Sequence, residues 1–82
     1  MPNNRADFTF NIVQHIATLS DNDATWPLEL NLVSFNDDPV KYDLRKWNKR
    51  HDRMSKGISM TEDELKNLMQ VLSKYFDEND AV

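Results

Sequence analysis

Apolar and polar residues alternate most strictly in two stretches of the chain, LELNLVSF (residues 28–35) and KYDLRKW (residues 41–47). A period of two sends successive side chains to opposite faces of an extended strand. In the first stretch Leu28, Leu30 and Leu32 share one face, and Glu29, Asn31, Val33 and Phe35 share the other. In the second, Tyr42, Leu44 and Lys46 oppose Lys41, Asp43, Arg45 and Trp47. The intervening NDDP (36–39) consists of turn-forming residues, so the two stretches predict an antiparallel hairpin.

Upstream, FTFNIVQHIATL (8–19) fits two periods: a helical stripe through Phe8, Ile12, Ile16 and Leu19, or a strand face through Phe8, Phe10 and Ile12. Its β-branched content favours the strand. SDNDATWP (20–27) reads as a loop. Beyond the hairpin, NKRHDR (48–53) is a hydrophilic connection and MSKGIS (54–59) a short fourth strand, in which Gly57 is the expected site of a bulge. Thr61 and Glu64 form a T-x-x-E capping box, and Leu65, Leu68, Met69, Leu72 and Phe76 recur at helical spacing, which predicts an amphipathic helix over 62–76. DENDAV (77–82) reads as a frayed acidic tail.

The expected fold is therefore α+β, with a four-stranded antiparallel sheet followed by one C-terminal helix (β-β-β-β-α) in a single domain, 1–82, ordered over about 8–76. One helix can cover only one sheet face. The helix stripe, Tyr42 and Leu44 are the expected core, and the face bearing Phe35, Arg45 and Trp47 is left to water or a ligand.

Eighty-two residues bury a modest core, so self-association is expected to add stability. The absence of cysteine excludes disulfide staples, thiolate metal sites and a cysteine nucleophile. No stretch has the composition of a signal peptide or membrane span, which gives an expected cytoplasmic, nucleoid-associated location and no membrane partner. A single glycine excludes Gly-rich phosphate loops.

Charge changes the picture more than any of these. The formal net charge is −4, but residues 41–56 hold seven Lys and Arg against two Asp, a local +5 in a chain that is otherwise −9. Exposed charges are screened over about 8 Å in physiological salt, so the acidic remainder need not cancel a local cationic surface.

Three features in this order, VSFNDD ahead of an acidic turn, Asp43-Leu44-Arg45 running into Trp47, and KGISM leading into a capped helix, resemble the positive-cofactor-four family of transcriptional coactivators, including its short bacterial members. The resemblance covers most of residues 28–76 and extends more weakly to about residue 8. It implies a curved four-stranded sheet with a C-terminal helix, a homodimer formed through helix and sheet, and single-stranded DNA bound on the open sheet face. It maps Phe35, Arg45, Trp47 and Lys56 onto the family's DNA-contacting positions, with Lys41, Lys49, Arg50 and Arg53 as nearby basic candidates. The Ser-rich and Lys-rich N-terminal region of eukaryotic members has no counterpart in this sequence, so the coactivator role is not implied with the fold.

Residue chemistry leads to the same surface. Unpaired bases need flat apolar platforms, each stack contributing about 1–3 kcal/mol, and the backbone needs cations that release counterions. Phe35 and Trp47 supply platforms, Arg45 a planar fork, and Lys41, Lys49, Arg50, Arg53 and Lys56 point charges. No set of residues suggests base-edge reading, so little sequence specificity is expected. Trp26, Val71 and Tyr75 are candidate dimer contacts.

His15 and His51 lie far apart with no metal-ligand motif, so neither a metal nor a cofactor is expected. Asp37 and Asp38 are turn residues, Asp43 is a cross-strand partner for a basic side chain, and nothing pairs a nucleophile with a base, so the chain is not read as an enzyme. The expected partners are single-stranded DNA, with RNA as a second polymer, a second copy of the chain, and transcription or replication proteins, in transcription regulation, replication or repair. The alternative is an interaction module whose basic hairpin docks on an acidic protein.

Overall fold

A computed structural model of the chain describes residues 8–21 and 24–80, the side chains of 79 and 80 excepted. The described elements are β1 (Phe10–Thr18), β2 (Leu28–Phe35), β3 (Lys41–Lys46), β4 (Ile58–Met60) and α1 (Glu62–Asp80). The four strands form one antiparallel sheet in the order β1-β2-β3-β4, in agreement with the alternation.

The turn between β2 and β3 is tight because Asn36 and Asp37 both take left-handed backbone angles, φ 53° and 63°, which these two residue types tolerate. Asp38 N donates to Phe35 O at 2.9 Å. This conformation matches strand twist in hairpins. Asn36 also anchors the start of β1: its amide donates to Thr9 O (2.8 Å) and its side-chain Oδ1 accepts from Thr9 N (2.9 Å).

β1 shifts register twice against β2, between Ile12 and Gln14 and between His15 and Ala17. Each shift breaks the period of two, which is why the sequence of this segment fits two templates. Bulges also sharpen the local coil of a strand. The coil is large. Phe10 pairs with Phe35 at one end of β2, and Trp47 N bonds Pro27 O (3.1 Å) at the other. Roughly 26 Å of extended strand separates those ends, yet the rings of Phe10 and Trp47 lie 5.1 Å apart. The sheet must curl its opposite corners toward one another, and the side chains on its concave face become an internal layer.

Parity correctly assigns which residues share that face, but its burial is the reverse of expectation. Asp43 and Trp47 are 0% exposed, Val33 and Asn31 are equally enclosed, and Glu29 is buried. Tyr42 and Leu44, expected as core, are only half-buried on the convex face with Leu28, Leu30 and Leu32.

The reason is the helix. The capping box forms as expected, with Thr61 N donating to Glu64 Oε1 (2.8 Å) and Glu64 N to Thr61 Oγ1 (3.2 Å). Glu62 then pairs with Lys66 at 2.9 Å, which holds its carboxyl below and the Lys66 ammonium above their ordinary ranges. From there α1 continues to Asp80, through residues read as a tail, and leaves the sheet behind. The molecule measures 60 × 31 × 18 Å with a radius of gyration of 15.5 Å, against about 12 Å for a compact domain of this length. Leu68, Met69, Val71, Leu72, Tyr75 and Phe76 are exposed. The helix stripe is thus not core within one chain.

Gly57 makes no bulge. β3 and β4 pair without a register shift, Leu44 opposite Ile58 and Asp43 opposite Ser59. The glycine is needed for close approach: a Cβ there would collide with Arg45 Cβ and with the Leu44 carbonyl oxygen. Gly57→Ala should therefore lower stability by about 1–3 kcal/mol in urea unfolding followed by circular dichroism. Lys56→Ala, one residue earlier and exposed, should stay within about 0.5 kcal/mol of the parent protein.

Candidate nucleic-acid interface

Arg45 is at the centre of the concave face. Its Nε donates to Asp43 Oδ1 at 2.6 Å and its Nη2 to Asp43 Oδ2 at 2.7 Å, a bidentate fork between residues i and i+2 of one strand. Asp43, expected to pair with a basic side chain across strands, instead takes its basic partner from its own strand and reaches β4 only through Ser59, whose hydroxyl donates to Oδ2 at 2.8 Å. Arg45 Nη1 also meets Met54 Sδ (3.3 Å) and Ser55 O (3.4 Å). Its guanidinium carbon sits 4.7 Å from the Phe35 ring centroid, and Phe35 stacks on Phe8 at 6.1 Å. The fork that would grip a phosphate is engaged with Asp43, and only 15% of the side chain is exposed.

Trp47 packs against Phe10 and, at 5.7 Å, against His51. Its Nε1 is buried and has no hydrogen-bond partner among the described residues. Stacking of a base on Trp47 requires this packing to open. Phe35, half-buried at the rim, is the more accessible platform.

The segment after Trp47 is a structured loop organised by Asn48. Asn48 Oδ1 accepts from the backbone N–H groups of Asp52 (3.1 Å) and Arg53 (3.0 Å), and Asn48 Nδ2 donates to Asp52 Oδ1. The bond from Asn48, with the nearby Arg50 and Arg53 charges, holds the Asp52 carboxyl below its ordinary range. Lys46 N bonds Ser55 Oγ (3.1 Å) and Ser55 N bonds Lys46 O (3.0 Å), returning the chain toward β4. The loop carries Lys49, Arg50 and Arg53 into solvent, with Lys56 at its end and Lys41 at the start of β3, all exposed. Arg50 approaches Asp52 only to 3.8 Å and is 85% exposed, so this pair contributes little. Lys46, exposed on the other parity, is a further cation of this segment not singled out by pattern.

The sequence offered no reason to connect His15 with His51, yet both reach Glu29. His51 Nε2 donates to both Glu29 oxygens at 3.0 Å. Asn31 Nδ2 donates to Glu29 Oε1 at 3.0 Å, which turns Asn31 Oδ1 toward His15 Nδ1 at 2.7 Å. Thr18 Oγ1 lies 3.3 Å from His15 Nε2. His51 adopts a left-handed φ of 58°, a strain on the order of 1 kcal/mol that persists only where its surroundings enforce it. Together Ile12, His15, Thr18, Glu29, Asn31 and His51 line a cavity of about 390 Å³. The one legible signal was parity, which puts Glu29 and Asn31 on the Arg45 face. Among the described residues no group of three or more His, Cys, Asp or Glu is arranged to hold a metal ion, and no helix is long and apolar enough to cross a membrane.

Of the candidate dimer contacts, Trp26 is half-buried in the loop before β2, and Val71 and Tyr75 are exposed along α1, Tyr75 edge-on to Phe76 at 5.1 Å.

Comparison with known proteins agrees with this arrangement. The chain is 36% identical over 67 residues to an uncharacterized protein of Treponema pallidum (strain Nichols), an alignment covering 82% of this chain and 79% of that protein. Residues 22–71, which span β2, β3, the cationic loop, β4 and the first half of α1, match the transcriptional coactivator p15 (PC4) family. The chain belongs to the transcriptional coactivator p15 (PC4) family.

Proposed function

We propose that the protein is a homodimeric single-stranded nucleic-acid-binding protein of low sequence specificity, acting in transcription regulation, replication or repair. The observation that carries this reading is the cluster of exposed cations, Lys41, Lys49, Arg50, Arg53 and Lys56, around the rim of a concave sheet face in a chain of this family. These side chains are available to phosphates because Asp43 is engaged with Arg45 and Ser59, and Asp52, held by Asn48, approaches Arg50 only to 3.8 Å and leaves it 85% exposed. Phe35, less enclosed than Trp47, offers a base its ring where the stacking of Phe8 on it gives way. Arg45 acts mainly by fixing that ring and the loop, and Trp47 joins as a second platform when its packing against Phe10 and His51 opens.

Self-association follows from two uncovered apolar surfaces. The stripe of α1 frames an open groove lined by Leu65, Leu68, Met69, Leu72 and Phe76. On and beside the sheet Val13, Ile16, Leu19 and Ile58 are exposed, Ile58 opposite Leu44 on the convex face. Apolar area of this extent on both a helix and a sheet marks an interaction surface. A second copy supplies the matching surfaces by symmetry.

Fluorescence anisotropy at matched ionic strength should give tighter binding to an oligo-dT strand than to a duplex of equal length. Log affinity should fall linearly with log salt, at about 0.7 per neutralised phosphate. Alanine at Lys49, Arg50 and Arg53 together should flatten that slope by roughly 2. Equal and weak affinity for both forms would instead favour docking of the cationic loop on an acidic protein.

In sedimentation velocity the parent protein should run as a dimer. Leu68→Asp combined with Leu72→Asp, at positions already in solvent within one chain, should yield a monomer. A dimer that persists in this variant would overturn the helix-mediated interface.

A further inference from the structure

We propose that the cavity between β1 and the β3–β4 loop is a proton-linked phosphate site, where His15 and His51 take up protons as they receive a phosphodiester of the bound strand. The inference rests on single-strand binding by this face, and it assigns a ligand to the one polar cluster that reading leaves unused.

Two imidazoles from separate elements converge on one carboxylate that is 4% exposed. A buried carboxylate requires compensating charge. Arg45 lies opposite Glu29 in the β2–β3 register, but its fork belongs to Asp43. The groups that do hold Glu29 are His51 and the neutral amide of Asn31, with His15 at 3.5 Å. Imidazole is the side chain whose charge changes between about pH 5 and 8. The cluster therefore carries −1 when both rings are neutral and +1 when both are protonated.

The hydrogen bonds also determine which atoms meet the ligand. His51 gives its Nε2–H to Glu29, and His15 gives its Nδ1–H to Asn31. The remaining nitrogens, His51 Nδ1 and His15 Nε2, the latter 3.3 Å from Thr18 Oγ1, are the ones that gain a proton and can then donate to a phosphate oxygen, His15 in exchange for its contact with Thr18. Glu29 lines the cavity beside the rings with its side chain only 6% exposed. The side chains of His15 and His51 are 50% and 40% exposed, so a ligand entering the cavity meets imidazole first.

Apart from the two histidines and Glu29, no described residue lining the cavity is ionisable. β1 contributes Ile12 and Thr18 to the lining and Phe10 against Trp47, none of them ionisable in this range. β3 contributes the Trp47 ring beside His51 and the closed Arg45–Asp43 pair. Within the loop, Arg50 and Asp52 face one another. The left-handed backbone of His51, inside a loop fastened by Asn48, is the local distortion that brings this imidazole to Glu29.

Phosphate favours the protonated rings, so complex formation takes up protons and affinity rises as pH falls through the imidazole range. Oligo-dT is the suitable probe because thymine does not titrate there. At fixed salt the full chain should bind oligo-dT about tenfold more tightly at pH 5.5 than at pH 8, and the double variant H15Q/H51Q should vary by less than about twofold. Calorimetry of the parent protein in two buffers of different ionisation enthalpy, which needs no variant to fold, should report proton uptake near pH 6.5. The ring resonances of both histidines should shift on adding oligo-dT. Shifts produced by inorganic phosphate but not by oligo-dT would overturn the assignment to a strand phosphate. Oligo-dT binding that is tight, independent of pH and free of proton uptake would overturn the site while leaving single-strand binding intact, whereas no binding at any pH would remove both.

Discussion

The bidentate pair between Arg45 and Asp43 is the interaction on which the concave face depends. Asp43 is fully enclosed, and a carboxylate in that position is tolerable only with a charge and hydrogen bonds to match. Arg45 supplies two bonds, and Ser59 a third from β4. The same guanidinium lies on Phe35 from β2 and touches Met54 and Ser55 of the loop. Removing either partner would strand a buried charge, a loss of about 3–5 kcal/mol. One side chain thus holds together the end of β2, the short β4 and the cationic loop. Gly57 is part of the same constraint, since only a residue without Cβ can pass so close over Arg45. The arginine that pattern points to as a phosphate ligand thus also fastens the loop that carries Lys49, Arg50 and Arg53.

The coil of the sheet divides the chain into surfaces of different chemistry. Its concave side is closed by its own corners, Phe10 meeting Trp47 and Phe35 meeting Arg45. It is satisfied by hydrogen bonds more than by apolar packing, with Glu29, Asn31 and Asp43 all paired. The convex side and α1 hold most of the aliphatic area and leave it uncovered. Usual globular logic puts the apolar layer inside and the polar layer out. Here that order is partly inverted within one chain, since Val33 and Trp47 are enclosed on the concave side and Met60 on the convex side while most of the helix stripe is exposed, and the proposed dimer would make that stripe interior.

Much of the architecture is legible in the sequence because it depends on neighbours a few residues apart. The capping box of Thr61 and Glu64, the hairpin around Asn36 and Asp37 and the alternation of β2 and β3 are all local, and all appear where the pattern places them. Parity also grouped Phe35, Arg45 and Trp47 on one face. It could not tell which face is covered, because coverage depends on how far the sheet coils and where the helix points. The two register shifts in β1 that drive the coil leave only an ambiguous period in the sequence. The Glu29 cluster was hidden for a related reason. His15 and His51 stand 36 residues apart, and only a curled β1 and a left-handed loop residue bring them to one carboxylate. The extension of α1 to Asp80 was missed because an acidic C-terminal turn opposes the helix dipole and reads as an end.

That acidic turn connects the two halves of the functional reading. A helix of 19 residues with no basic side chain in its last turn and a solvent-exposed stripe lacks the terminal complementarity that helps isolated helices. Burial of the stripe against another surface would add the packing from which most helices in proteins draw their stability. The helix also carries Glu62, Asp63, Glu64, Asp77 and Glu78 against Lys66 and Lys74, whereas seven of the ten Lys and Arg lie on residues 41–56. A polyanion approaching the molecule is repelled along the helix and attracted to the loop, over distances of about a Debye length. The overall acidity, which by itself argues against nucleic acid, therefore becomes part of how a strand would be directed to one face. The apolar side of the same helix is the surface that the proposed dimer would cover.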